Sequence, residues 1–231
     1  MAEIYSLAGT QSIEGRIMRI AVFIDYWNFQ LTLNTKVAAK RGLKEVRVKV
    51  NWKDLGPILA GEACRVLAVE QSSLSYQGCY VYTSFNPGTD EGRKFKNWAT
   101  TWLDRQPGVN VQIRERRRKG AQKCPACHQE ITHCPHAGCG QPIVATEEKG
   151  VDTYLVTDLL RLGLSNSYDA AVLGSLDADM IPAVEYIQTM GKKVVQAGFP
   201  PQGTTLATEC WGSFNVLDSL ARIERSENIS N

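Results

Sequence analysis

The chain has 231 residues, 43% apolar and 22% charged, with a formal net charge of +2. That fits one domain with a proper buried core, or one domain carrying a small insert. No stretch approaches the ~20 apolar residues that cross a bilayer. Met1 to Arg16, with Glu3 and Glu14, lacks the apolar core of a secretion signal. These features exclude a membrane protein and point to a soluble, cytoplasmic one.

Met18 to Ile24 is a short apolar run with β-branched members, which predicts a buried parallel strand. Asp25-Tyr26-Trp27-Asn28-Phe29 leads into a helix expected to reach about Lys40 and to break near Gly42. Val46 to Val50 alternates apolar and charged residues and predicts a short strand or edge hairpin. Asp54 to Leu67 reads as a helix, Cys79 to Phe85 as a strand, and Glu91 to Leu103 as a helix. Val109 to Ile113 is the next expected strand, running into a basic stretch and a cysteine-rich segment. Val151 to Leu164 predicts an amphipathic helix, Tyr168 to Leu173 a strand, Met180 to Met190 a helix and Lys193 to Gly198 a strand. The rest adds a short helix and a final strand or helix. Strands alternating with helices predict an α/β fold: a central, mostly parallel sheet with helices on both faces.

Four acidic positions stand where strands end or helices begin: Asp25, Asp152, Asp177 and Asp179. In a parallel sheet with right-handed crossovers, the strand C-termini share one rim. Chain-distant carboxylates can therefore meet there, and such a cluster is stable mainly around a hard cation, Mg²⁺ or Mn²⁺. Asn28, one helical turn after Asp25, would face the same pocket. Taken singly, each aspartate reads equally well as a helix cap or a partner of the helix dipole. It is the succession at strand ends that favours a site.

Ile24-Asp25-Tyr26-Trp27-Asn28-Phe29, Glu148-Lys149-Gly150-Val151-Asp152 and Ser175-Leu176-Asp177-Ala178-Asp179-Met180-Ile181-Pro182 resemble the motifs of NYN domains. These are PIN-like nucleases, here of the branch that includes LabA-like proteins. Ala197-Gly198-Phe199-Pro200-Pro201 is similar to that branch's signature after its last core strand. The resemblance spans roughly Met18 to Trp211. It implies a three-layer α/β/α sandwich and metal-dependent ribonuclease activity leaving 5′-phosphate and 3′-hydroxyl ends. Asp25, Asp152 and Asp177 would be the main metal carboxylates and Asp179 a peripheral fourth, with Asn28 and Ser175 in support. Leu176 and Ala178 depart from the smaller or polar residues common there, which bears on how a phosphate approaches. The residue types suit metal-assisted phosphodiester hydrolysis on their own account. No histidine is placed as a base, because His128, His133 and His136 all fall in the cysteine segment.

Four of the seven cysteines lie within that segment: Cys124, Cys127, Cys134 and Cys139. Cys124-Pro125-Ala126-Cys127 has the two-residue spacer that lets both thiolates reach one tetrahedral Zn²⁺ at about 2.3 Å. Four cysteines are the first expectation, with His133 or His136 in place of Cys134 as the alternative. Four protein ligands leave no open position, so the zinc would be structural. The expected layout is thus a tail over 1–17, a nuclease domain over 18–122 and 143–216, a zinc ribbon inserted at 123–142, and a tail over 217–231.

Arg114, Arg116, Arg117, Arg118, Lys119 and Lys123 set six cations against Glu115 on the way into the ribbon. A solvated flank is the ordinary reading of such a run. Its position ahead of Asp152 favours phosphate contact instead, with Lys149 nearby. Tyr26 and Trp27 are placed to stack an unpaired base, although core packing suits Trp27 equally. Trp98, Trp102 and Trp211 are expected to pack. The leading expectation is an endoribonuclease acting on RNA, the alternative a regulator that binds RNA or protein and cleaves weakly. An aspartyl-phosphate hydrolase is disfavoured because Asp25 has no aspartate two residues on. A dinucleotide-binding dehydrogenase is disfavoured because no glycine-rich loop follows the first strand. Oligomeric state, a homo-oligomer included, stays open.

Overall fold

The computed structural model describes residues 17–120, 122–143 and 146–225. Most of the expected N-terminal tail and the end of the C-terminal one lie outside them. Six strands form one sheet in the order β10-β9-β8-β1-β2-β3, and every pairing is parallel. They are β1 (Met18–Asp25), β2 (Leu74–Phe85), β3 (Val109–Glu115), β8 (Ala170–Gly174), β9 (Lys193–Gly198) and β10 (Gly212–Asn215). Between them run α1 (Tyr26–Arg41), α2 (Trp52–Val66), α3 (Asp90–Thr101), α4 (Val151–Leu164), α5 (Ile181–Thr189) and α6 (Thr204–Glu209), with α7 (Leu220–Ile223) last.

The period of two along β1 sorts its side chains between two cores. Ile20, Val22 and Ile24 pack with Phe29, Leu33 and Val37 of α1 and Leu55, Leu59 and Ala63 of α2. Ala21 and Phe23 pack on the other face with Leu155 and Leu159 of α4 and Val184 and Ile187 of α5. The result is a three-layer α/β/α sandwich, as expected. Each fully buried Leu, Ile or Phe contributes about 1.5–3 kcal/mol. From β1 the chain builds outward to β2 and β3, then returns to build β8, β9 and β10 on β1's other side. The strand order therefore reverses between β1 and β8, which opens a crevice beyond their C-terminal ends.

Val46 to Val50 forms no strand. Its backbone is satisfied from outside any sheet: Val48 N–H donates to Asn34 Oδ1 at 2.9 Å, and Gln30 donates to Val48 O at 3.1 Å. Only Val50 makes a bridge, to Glu224. The stretch expected as a C-terminal tail is partly core, since Ile223 is fully buried and its carbonyl accepts from Asn51 N–H at 2.8 Å. Trp211, expected to pack, is 57% exposed with the Lys193 ammonium 4.1 Å from its ring.

Candidate active site

Asp25 ends β1 and caps α1, its Oδ1 accepting from Asn28 N–H at 3.2 Å. Asp177 caps the turn after β8 in the same way, accepting from Asp179 N–H at 2.9 Å. Capping and site are therefore not alternatives: the caps orient the carboxylates and leave oxygens available. Gly150 precedes α4 at φ 83°, a conformation that favours glycine, and so places Asp152 in the first helical turn.

Electrostatics show that these groups share one region. Asp25 is 6% exposed. Burial, and then repulsion from Asp152, Glu148 and Asp177, pushes its carboxyl up to about 7 against the bond from Asn28. Asp152 is also raised, by desolvation and then by Asp177, Glu148 and Asp179. Among the described residues none of Asp25, Asp152, Asp177 and Asp179 is in a salt bridge. Hard carboxylate oxygens that repel one another and lack a cationic side chain are the donor chemistry that suits Mg²⁺ or Mn²⁺. Even so, among the described residues no three His, Cys, Asp or Glu side chains are gathered into a set that could hold a metal ion.

The supporting contacts cross the molecule. Asn28 Oδ1 accepts from Leu176 N–H at 3.1 Å, and Ser175 Oγ accepts from Asp177 N–H at 3.2 Å. Gln196 of β9, 1% exposed, donates to Ser175 O at 3.0 Å and Gly203 O at 3.2 Å. A Cβ on Gly203 (φ 75°) would come within 2.6 Å of Leu176, so the leucine noted as a departure is fitted to a glycine turn.

Three participants were not singled out from the sequence. The Ser84 hydroxyl, at the end of β2, donates to the Glu148 carboxylate. Arg116 Nε donates to Ser84 Oγ at 2.9 Å, and its other arm reaches Glu148 at 3.5 Å. Gln196 had a readable signal, a polar residue inside an otherwise apolar strand. Glu148 opens the Glu148-Lys149-Gly150-Val151-Asp152 motif. Nothing local marked Ser84.

Arg114, Arg116, Arg117, Arg118, Lys149, Gly150 and Tyr154 line a groove of about 700 Å³ beside Asp152. Arg114 stacks 3.7 Å from the Tyr154 ring, and Lys149 pairs with Glu147 at 2.9 Å. Lys119 and Lys123 are exposed and line no part of this groove. Tyr26 offers no free face: it is 4% exposed, stacked on Trp52 at 5.1 Å with Trp27 edge-on at 4.9 Å.

In the cysteine segment β4 (Arg117–Arg118) pairs antiparallel with β7 (Thr146–Glu147), and β5 (Gln122–Lys123) with β6 (Glu130–Ile131). Two tight turns carry the thiols. Cys124 O accepts from His128 N–H at 2.8 Å, and Cys134 N–H donates to Gln141 O at 2.8 Å. Backbone N–H groups of Cys127 and Ala126 lower the Cys124 thiol. All four cysteines are free of disulfides, and among the described residues no three of these side chains are gathered into a set that could hold a metal ion.

The model of the NYN domain matches residues 19–211. Among solved structures the chain is similar to a protein of unknown function from Vibrio parahaemolyticus. That likeness has 16% identity and a TM-score of 0.49, covering 87% of this chain and 93% of that one. The nicotinamidase SaPncA from Staphylococcus aureus is more remote, at 11% identity and a TM-score of 0.25, covering 86% and 84%. Neither likeness bears on chemistry at these scores. No curated protein matches the chain.

Proposed function

The chain belongs to the NYN domain family of PIN-like nucleases, and we propose that it is a metal-dependent endoribonuclease. One observation carries this reading. Burial, and then the neighbouring charges of Glu148, Asp177 and Asp179, raise the proton affinity of Asp25 and Asp152 at the crevice where strand order reverses. Asp25, Asp152 and Asp177 would hold Mg²⁺ or Mn²⁺, with Asp179 at the periphery. When bound, such an ion activates water and neutralises charge building on a phosphodiester.

The protein's own groups do the rest. Asn28 and Ser175 hold the Asp177 loop against the start of α1. Arg114, Arg117, Arg118 and Lys149 present positive charge to phosphates of the incoming strand. Arg116 tethers Glu148 to Ser84, so this carboxylate is held toward the rim. Cys124, Cys127, Cys134 and Cys139 would hold a structural Zn²⁺ that ties the two turns of residues 123–142 into an inserted ribbon. Support for it comes from the paired turns and the lowered Cys124 thiol.

The test is RNA incubated with Mn²⁺ or with EDTA, using wild type and Asp177→Asn. Cleavage that needs both the ion and Asp177 is expected. RNA bound with equal affinity by both proteins and cut by neither would replace the nuclease with a binding regulator.

A further inference from the structure

We propose, resting on the nuclease reading above, that an aromatic cleft beside the acidic rim holds one unpaired nucleobase of a single-stranded RNA. The cleft measures about 640 Å³, inside the ~300–1,000 Å³ range of ligand sites. Its apolar walls are the half-buried rings of Trp27, Phe95 and Trp98. Phe95 lies 4.8 Å from Trp27 and 5.7 Å from Trp98, so the three form one continuous surface over the buried Tyr26. The Trp27 N–H donates to Ser84 O, and the Ser84 hydroxyl donates to the Glu148 carboxylate, which puts one edge of this surface beside Glu148.

Several of its polar atoms are already committed to the protein. The Trp27 N–H donates to Ser84 O at 2.7 Å. Gln30 donates to Asn34 Oδ1 at 2.8 Å, and Asn86 Oδ1 accepts from Gly88 N–H at 2.9 Å. What the rings offer a ligand is π surface, which any base can stack on without hydrogen-bond readout. The cleft thus selects for a base that is unpaired, and is tolerant of which base it is. A base in a duplex would first have to leave its stack.

Charge gives the strand its path. Arg116 lines both the cleft and the basic groove, so the two are contiguous at one side chain. Arg47 and Lys94 border the cleft with the same sign of charge, against the single carboxylate of Glu91. Phosphates laid along Arg114, Arg117 and Arg118 would therefore bring the next nucleotide's base to Trp27 and Phe95.

The experiment measures binding in EDTA of a labelled single-stranded RNA of about twelve nucleotides, a length within the range of single-strand sites. The same RNA is also made with one abasic nucleotide placed at each position in turn, and as a blunt duplex. For wild type, one abasic position is expected to weaken binding on the order of tenfold while distant positions change little. Phe95→Leu is expected to weaken the intact strand by a similar factor, flatten the abasic profile and leave duplex affinity unchanged. A flat abasic profile in wild type overturns the assignment, as does a folded Phe95→Leu that binds single strands normally or loses single strand and duplex alike. If that variant fails to fold, the abasic scan on wild type decides alone. Cleavage in Mn²⁺ with a flat profile rejects the cleft and keeps the nuclease; a peaked profile without cleavage does the reverse.

Discussion

Asn28 and Leu176, 148 residues apart in the chain, are joined by a 3.1 Å hydrogen bond from the Leu176 backbone N–H to the Asn28 side-chain oxygen. Three residues before Asn28 stands Asp25, and one residue after Leu176 stands Asp177. The bond therefore fixes the spacing between two carboxylates brought together from separate strands. Asn28→Ala is expected to cost about 1 kcal/mol of stability and to lower cleavage on the order of 10²-fold. Thermal melts and single-turnover cleavage check this. Full activity in a variant destabilised by that amount would remove Asn28 from the positioning role.

Asp25 makes the metal-free protein sensitive to pH in a defined direction. Its carboxyl titrates near 7 in the fold, above the ~3.9 of an unfolded aspartate. Between those values the folded chain keeps a proton that the unfolded chain has released. Stability from this group is therefore lost as pH rises through that window. In EDTA the melting temperature should fall from about pH 4 to about pH 7, and Asp25→Asn should remove most of that fall. Mn²⁺ prefers the ionised form, so its stabilising effect should be larger at the higher pH. An identical pH slope in wild type and Asp25→Asn would show that this carboxyl is not its source.

Gln196 bridges Ser175 O and Gly203 O from inside the sheet. Its replacement by leucine strands two carbonyls next to the Asp177 loop. A loss of about 1–3 kcal/mol is expected, with cleavage reduced more than RNA binding. Denaturant titration and parallel binding measurements separate the two; unchanged stability would mean that water serves those carbonyls equally well.

Arg117 and Arg118 are exposed along the groove beside Asp152. For single strands, each phosphate contact contributes about 0.7 to the slope of log K against log salt. Changing both to alanine should lower that slope by about 1.4 if each contacts one phosphate. An unaltered slope would return the run to a solvated flank.

Protein isolated without chelator is expected to contain about one zinc per chain, lost in Cys124→Ser. Elemental analysis of both proteins decides the matter, and a wild type free of zinc would reject the ribbon as a metal site. Because residues 122–143 make their pairings outside the six-stranded sheet, the variant's main melting transition should stay close to wild type.

Local pattern carried most of what could be read along the chain. Apolar runs marked β1, β8 and β9, the amphipathic period marked α4 from Val151 to Leu164, and motif spacing marked Asp25, Asp152 and Asp177. Those signals depend on neighbours a few residues away, so the sequence by itself determined most of the elements, their order and the family. It misread Val46 to Val50, where alternation suggested a strand. The structure gives that backbone to Asn34 and Gln30 of α1. Only the tertiary structure decided that Ser84 would meet Glu148 and Arg116, that Gln196 would hold two loops, and that Phe95 rather than Tyr26 would share a surface with Trp27. Each of these is a contact between distant residues, set by which strands lie side by side and in what register, and no short-range periodicity encodes that adjacency.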